Sequence, residues 1–211
     1  MINIDEILKR LKDRYNARIA LNWSDPWELL VATILSAQCT DARVNKVTES
    51  LFKKYRTMND YARADIKQFE LDIRTTGFYH SKAKNVIECA SKILRDFGGS
   101  VPDDMDKLIT LPGVARKTAN VVLFNAFGKN EGIAVDTHVR RVSQRLGLTR
   151  KDDPKKIELD LMRLMKQKEW GDFSLRVILH GRETCVARNP KCPDCVLASL
   201  CPSRKKFYPD I

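Results

Sequence analysis

The chain is 211 residues long, enough to bury a sizeable core in one or two compact units. Its 43% hydrophobic content points to a globular rather than a disordered chain. Lys and Arg number 38 against 27 Asp and Glu, and the formal charge of +11 favours a polyanionic partner through phosphate contacts and counterion release.

Met1 to Tyr15 reads as a charged amphipathic helix with Ile4, Ile7, Leu8 and Leu11 on one face, not as an export signal. The most apolar stretch, Trp27 to Leu35, is interrupted by Glu28 and Thr33 and is too short to cross a bilayer. The expected location is therefore the cytoplasm, at the nucleoid if the partner is DNA.

Apolar residues recur at spacings of three and four throughout, which predicts an all-α fold. The helices expected in chain order are Ile4 to Tyr15, Pro26 to Ser36, Asp41 to Lys54, Ala62 to Gln68, Ser81 to Phe97, Asp104 to Thr110, Ala115 to Phe127, Thr137 to Leu146, Pro154 to Met165 and Trp170 to Thr184. In the Ser81 helix, Ala83, Val86, Ile87, Ala90, Ile93 and Leu94 form the buried stripe, and Gly98 with Gly99 supplies the stop. Cys89 beside that stripe reads as a small core residue.

Leu108 to Asn120 joins two helices through the tight turn Pro112-Gly113. Backbone N–H groups at the second helix start, aided by the helix dipole, can hold one phosphate; Gly113 opens the turn and Ala115 keeps the backbone accessible. Pro-Gly turns also join helices with no ligand at all. Lys117 sits in the first turn of that helix, where a cation opposes the dipole. The same field, with partial burial, would lower its pKa and raise the fraction of neutral amine that a nucleophile needs.

Gly132 to Val142 leads into Asp136, the expected N-cap of the next helix. Asp is a favoured cap for purely local reasons. A carboxylate at the mouth of a pocket can also assist proton transfer from an amine and stabilise positive charge developing on a sugar ring.

Four of the six cysteines crowd into the last 27 residues: Cys185, Cys192, Cys195 and Cys201, spaced C-x6-C-x2-C-x5-C. Inside a reducing cell that crowding points to metal rather than disulfides. Four thiolates suit zinc or a 4Fe-4S cluster, and the single close pair favours iron–sulfur. The loop between the first two ligands carries Arg188 and Lys191, a candidate phosphate clamp.

With Leu-Pro-Gly-Val-Ala-Arg-Lys-Thr-Ala, Val-Asp-Thr-His and the cysteine run in this order, the chain resembles the endonuclease III family of helix-hairpin-helix DNA glycosylases over nearly its whole length. The resemblance implies that Lys117 attacks the deoxyribose C1′ and forms a Schiff base, that Asp136 assists it, and that Cys185, Cys192, Cys195 and Cys201 bind a 4Fe-4S cluster. It implies that Gln38, in Ser36-Ala37-Gln38, fills the gap left in the duplex, that Phe78, in Gly77-Phe78-Tyr79, wedges into the stack, and that His138 contacts DNA. Ala115 stands where many relatives have a second hairpin glycine, and Phe78 where some have leucine.

The implied architecture is two helical domains with a DNA cleft between them: a six-helix barrel over residues 20–130 containing the helix-hairpin-helix at about 105–127, and a discontinuous cluster domain from 1–19 and 131–211. The implied function is removal of oxidised pyrimidines from duplex DNA and strand cleavage 3′ to the abasic site, by a monomer. Two rivals differ in a checkable way. An adenine glycosylase shares the cysteine run but lacks the hairpin lysine, and a non-enzymatic iron–sulfur DNA-binding module gives no reason for Lys117 and Asp136 to occur together.

Overall fold

The computed structural model describes residues 3–209, and among them there is no β-strand. The helices are α1 (Ile4–Arg14), α2 (Pro26–Leu35), α3 (Asp41–Lys54), α4 (Met58–Ala62), α5 (Ile66–Ile73), α6 (Tyr79–Asp96), α7 (Met105–Leu108), α8 (Arg116–Phe127), α9 (Thr137–Arg145), α10 (Pro154–Leu164), α11 (Trp170–Glu183) and α12 (Arg204–Phe207). No helix among the described residues is long and apolar enough to cross a membrane.

Most helix starts follow from a side chain that replaces a missing backbone partner. Asn3, Asp25, Thr40, Asp65, Asp104, Asp136 and Asp153 each accept from a backbone N–H two or three residues on. Pro26 and Pro154 occupy first-turn positions where the absent N–H costs nothing. Gly99 and Lys129 send their N–H groups back to the Ile93 and Leu123 carbonyls at 3.1 and 2.9 Å, closing α6 and α8.

One expected helix was misjudged. Ala62 to Gln68 is not continuous; it spans the end of α4 and the start of α5, with a break at Arg63–Asp65. A capping box starts α4, in which Thr57 and Asp60 each bond the other's backbone, and Asp65 starts α5 afresh by accepting from Gln68 N–H at 2.8 Å. The short helix α12 and the 3-10 turns went unread in the sequence.

The chain divides into two compact units, Ala20–Lys129 and the pair of segments Met1–Ile19 with Asn130–Ile211. In the first, α2 is buried almost all round, from Trp27 to Leu35, as a central helix must be. It packs on α3, α6 and α8, while α6 also packs on α4 and α5. Trp27, Tyr55, Tyr61 and Phe69 form an edge-and-tilt cluster with ring centroids 5.2 to 5.9 Å apart.

The second unit has its own core, built from Ile7 and Leu11 of α1, Val139 and Val142 of α9, Ile157 and Leu161 of α10, and Phe173 and Val177 of α11. Its first helix and its last loop meet directly. Arg10 donates to the Val196 carbonyl at 2.9 Å and to Ser199 Oγ at 2.8 Å, from the far end of the sequence.

Candidate active site and cluster loop

In the Ala20–Lys129 unit, α7 and α8 are joined by the turn containing Gly113, whose φ of +75° only glycine adopts without strain. A second constraint acts there, because a Cβ on Gly113 would lie 2.9 Å from Asn85 Cβ of α6. Ala115 is the N-cap of α8 and makes no side-chain cap bond. Gly113, Ala115 and Lys117 are all exposed. Lys117 occupies the first turn as expected but lacks the partial burial expected of it.

Two other expected contact residues lie in the same unit, both with strained backbones. Gln38 (φ +53°) and Phe78 (φ +49°) are two of the three non-glycine residues with positive φ among the described residues. Phe78 is 65% exposed, an unusual place for an aromatic ring, and it caps α6 with no side-chain bond.

Asp136 belongs to the other unit and caps α9. Its Oδ1 accepts from both His138 and Val139 N–H at 2.8 Å, so one oxygen does the capping. The side chain of His138 is partly buried. Its Nδ1 lies 3.1 Å from Arg141 Nη2, and burial pushes its pKa down against the raising effect of Asp136. Gly181 is required beside it, since a Cβ there would come within 2.9 Å of His138 Cβ.

The four late cysteines line one cavity with Val142, Leu146, Leu197 and the cations Arg145 and Arg204. Among the described residues no three Cys, His, Asp or Glu side chains converge tightly enough for a single ion. Four thiols around one apolar, positively flanked cavity suit a polynuclear cluster with one ligand per corner, and the residues fit a 4Fe-4S group. Burial pushes the Cys192 and Cys201 thiols up and the Cys195 thiol up to about 11, so metal binding must drive proton release.

Sequence reasoning missed the two arginines that grip this loop. Arg145 donates to Cys185 Sγ at 3.3 Å and to the Val186 and Ala187 carbonyls at 2.8 and 2.9 Å; Arg141 donates to the Cys185 and Gly181 carbonyls at 3.1 and 2.8 Å. The available signal was their spacing, one turn apart on the helix that Asp136 opens. Arg188 and Lys191 are exposed on the loop, and Lys191 N–H donates to the Thr184 carbonyl at 2.9 Å.

Residues 31–167 match the family model of HhH-GPD superfamily base excision DNA repair proteins, and residues 185–201 match that of the iron-sulfur binding domain of endonuclease III. Endonuclease III of Synechocystis is 55% identical over 199 residues, covering 94% of this chain and 91% of the relative. The chain belongs to the endonuclease III family. Endonuclease III of Escherichia coli is 41% identical over 202 residues, covering 95% of each chain. Among solved structures, a non-covalent endonuclease III–DNA complex matches with a TM-score of 0.92 at 46% identity, covering 96% of this chain and 95% of that one. A trapped endonuclease III–DNA covalent intermediate matches with a TM-score of 0.92 at 45% identity, covering 98% and 99%. As a member of the endonuclease III family the protein is a base-excision DNA glycosylase and abasic-site lyase, with DNA as its partner and a 4Fe-4S cluster as its cofactor.

Proposed function

We propose that Lys117 is the nucleophile and Asp136 its assistant in removing oxidised pyrimidines from duplex DNA. The observation that carries this reading is an exposed amine in the first turn of an uncapped helix, directly after a glycine turn able to take a phosphate. The phosphate on the open N–H groups fixes the strand, and the flipped nucleotide brings its C1′ to Lys117.

The neutral Lys117 amine attacks C1′ and the C1′–N bond to the base breaks, the base leaving with a proton. Asp136 takes a proton from the attacking amine and offsets positive charge on the opening sugar ring. Cleavage of the C1′–O4′ bond, with O4′ taking a proton and staying on the opened sugar, gives an imine at Lys117, which acidifies the C2′ proton. Removal of that proton expels the 3′ phosphate, and water then releases the sugar fragment and the free lysine. One nucleophile accounts for both activities.

Around this chemistry, Gln38 fills the place of the flipped nucleotide, Phe78 wedges into the stack, and His138, Arg188 and Lys191 contact the strand. Cys185, Cys192, Cys195 and Cys201 hold the cluster, which when bound ties the final loop through four covalent links. In the domain reading, Ala20–Lys129 is the barrel with the helix-hairpin-helix, the remaining segments form the cluster domain, and a monomer works at the nucleoid.

The test is borohydride trapping on a duplex containing thymine glycol, comparing wild type with Lys117→Ala. An adduct that requires Lys117 supports the scheme. No adduct from active, cluster-loaded wild type would replace it with a monofunctional glycosylase.

A further inference from the structure

Lys82 is the one side chain of the Ala20–Lys129 unit whose chemistry conflicts most with its surroundings. It sits in the first turn of α6 and is only 4% exposed. A buried ammonium is costly unless it is bound to something, and its Nζ donates to the Thr76 carbonyl at 2.8 Å. Burial pushes its pKa down, and the nearby Cys39 thiol acts the other way.

Thr76 ends the 3-10 turn Arg74–Thr76, and its own hydroxyl, 2% exposed as a residue, donates back to the Ile73 carbonyl at 2.8 Å. Directly after it the chain reverses through Gly77 (φ +70°) into Phe78, whose carbonyl accepts the Lys82 N–H at 3.1 Å. Lys82 therefore binds both sides of the turn that projects Phe78: its ammonium before, its backbone after. Its neighbour Cys39 directly follows Gln38, and α3, which starts two residues beyond Cys39, packs on the Arg74–Thr76 turn. The turn that carries the left-handed, exposed Phe78 thus rests on one buried support. Strain of this kind persists only where the surroundings over-determine it.

We infer that Lys82 is the positioning residue for the Phe78 turn, holding the Thr76 carbonyl so that Phe78 is presented ready-formed to the DNA. This rests on the reading of Phe78 as the residue that wedges into the duplex. Lys82 itself is too buried to touch substrate. A methionine there would fill much the same volume but leave the Thr76 carbonyl unheld.

The experiment uses cluster-loaded wild type, Lys82→Met, Lys82→Arg and Phe78→Ala on a duplex with 2-aminopurine beside a tetrahydrofuran abasic analogue, together with single-turnover release of thymine glycol. Melting curves and cluster absorbance establish folding. The expected result is that Lys82→Met binds undamaged duplex within about twofold of wild type but loses the fluorescence rise that reports unstacking. Base release should fall by on the order of tenfold to a hundredfold, as misplacement of a reacting group does, and Lys82→Arg should recover most of both signals. If Lys82→Met fails to fold, Lys82→Leu, which likewise leaves the Thr76 carbonyl without its donor, is read in the same way. A Lys82 variant that melts lower yet keeps the full unstacking signal overturns the inference, provided Phe78→Ala loses that signal. If Phe78→Ala keeps it too, the wedge reading itself fails.

Discussion

Asn85 of α6 stands against Gly113 of the hairpin turn so closely that a Cβ on Gly113 would lie 2.9 Å from Asn85 Cβ. One helix therefore supports two turns, that of Phe78 at its start and that of Gly113 further along. Gly113→Ala meets both a left-handed φ and a collision, and should cost about 1–3 kcal/mol of stability. Thermal melting reads the loss. Because Asn85→Gly has a helix cost of its own, the test is a double-mutant cycle: Gly113→Ala should cost less in the Asn85→Gly background than in wild type, and an equal cost in both would refute the packing argument.

Asp136 separates two roles that are usually confounded. Asparagine caps helices about as well as aspartate, so Asp136→Asn should keep stability to within about 0.5 kcal/mol, whereas Asp136→Ala should lose about 1 kcal/mol. Both should slow base release by a hundredfold or more, on the order that general acid–base groups contribute. Single-turnover assays beside melting curves make the comparison. Full activity in Asp136→Asn would remove the carboxylate from the mechanism.

Arg145 joins α9 to the loop of Cys185 through three bonds, one of them to the ligand sulfur. Arg145→Ala should therefore speed cluster loss to a chelator by on the order of 10- to 100-fold, the scale at which groups behind metal ligands act. Decay of the visible iron–sulfur absorbance follows it. Arg145→Lys should recover little, because a single ammonium cannot reach a sulfur and two carbonyls together.

The carboxylate of Asp72 gives a pH signature. Burial acts to raise its pKa, but donors from Lys54 (2.6 Å), Tyr55 (2.8 Å) and Gln68 (3.0 Å) outweigh that and hold it below 3.8. The folded pKa being the lower one, this contribution is fully present at neutral pH and is lost as pH falls below about 3.8 toward the folded value. Asp72→Asn should melt lower at pH 7 and show a shallower decline in acid. Parallel acid curves for variant and wild type would contradict the assignment.

Much of this arrangement was legible before the structure. Asp41 to Lys54 is a helix with the bounds its spacing predicts, because Thr40 and the Val44, Val47, Leu51 stripe are local signals. The hairpin, the Asp136 cap and the cysteine run are likewise written in contiguous residues. What stayed hidden depends on partners far away in sequence. Nothing near Lys82 says that it is buried, since lysine is ordinarily a surface residue and only the Gly77–Phe78 reversal creates its acceptor. The Ala62 to Gln68 expectation fails for a local reason: the Thr57–Asp60 capping box starts a helix that ends at Ala62, and Asp65 caps a new one instead of lying inside it.

The bonds from Arg10 to Val196 and Ser199 have a consequence for how the protein is made. A ribosome delivers α1 well before the residues it packs on, Val196 and Ser199 following Arg10 by 186 and 189 residues, so the amphipathic helix waits with Ile7 and Leu11 uncovered until its core partners emerge. Ala20–Lys129 is complete long before, and domains generally fold as units as they emerge. At roughly 5–20 residues per second that wait lasts on the order of ten seconds or more. A chaperone that masks the apolar face of α1 in this interval would keep Ile7 and Leu11 from aggregating until their core partners arrive.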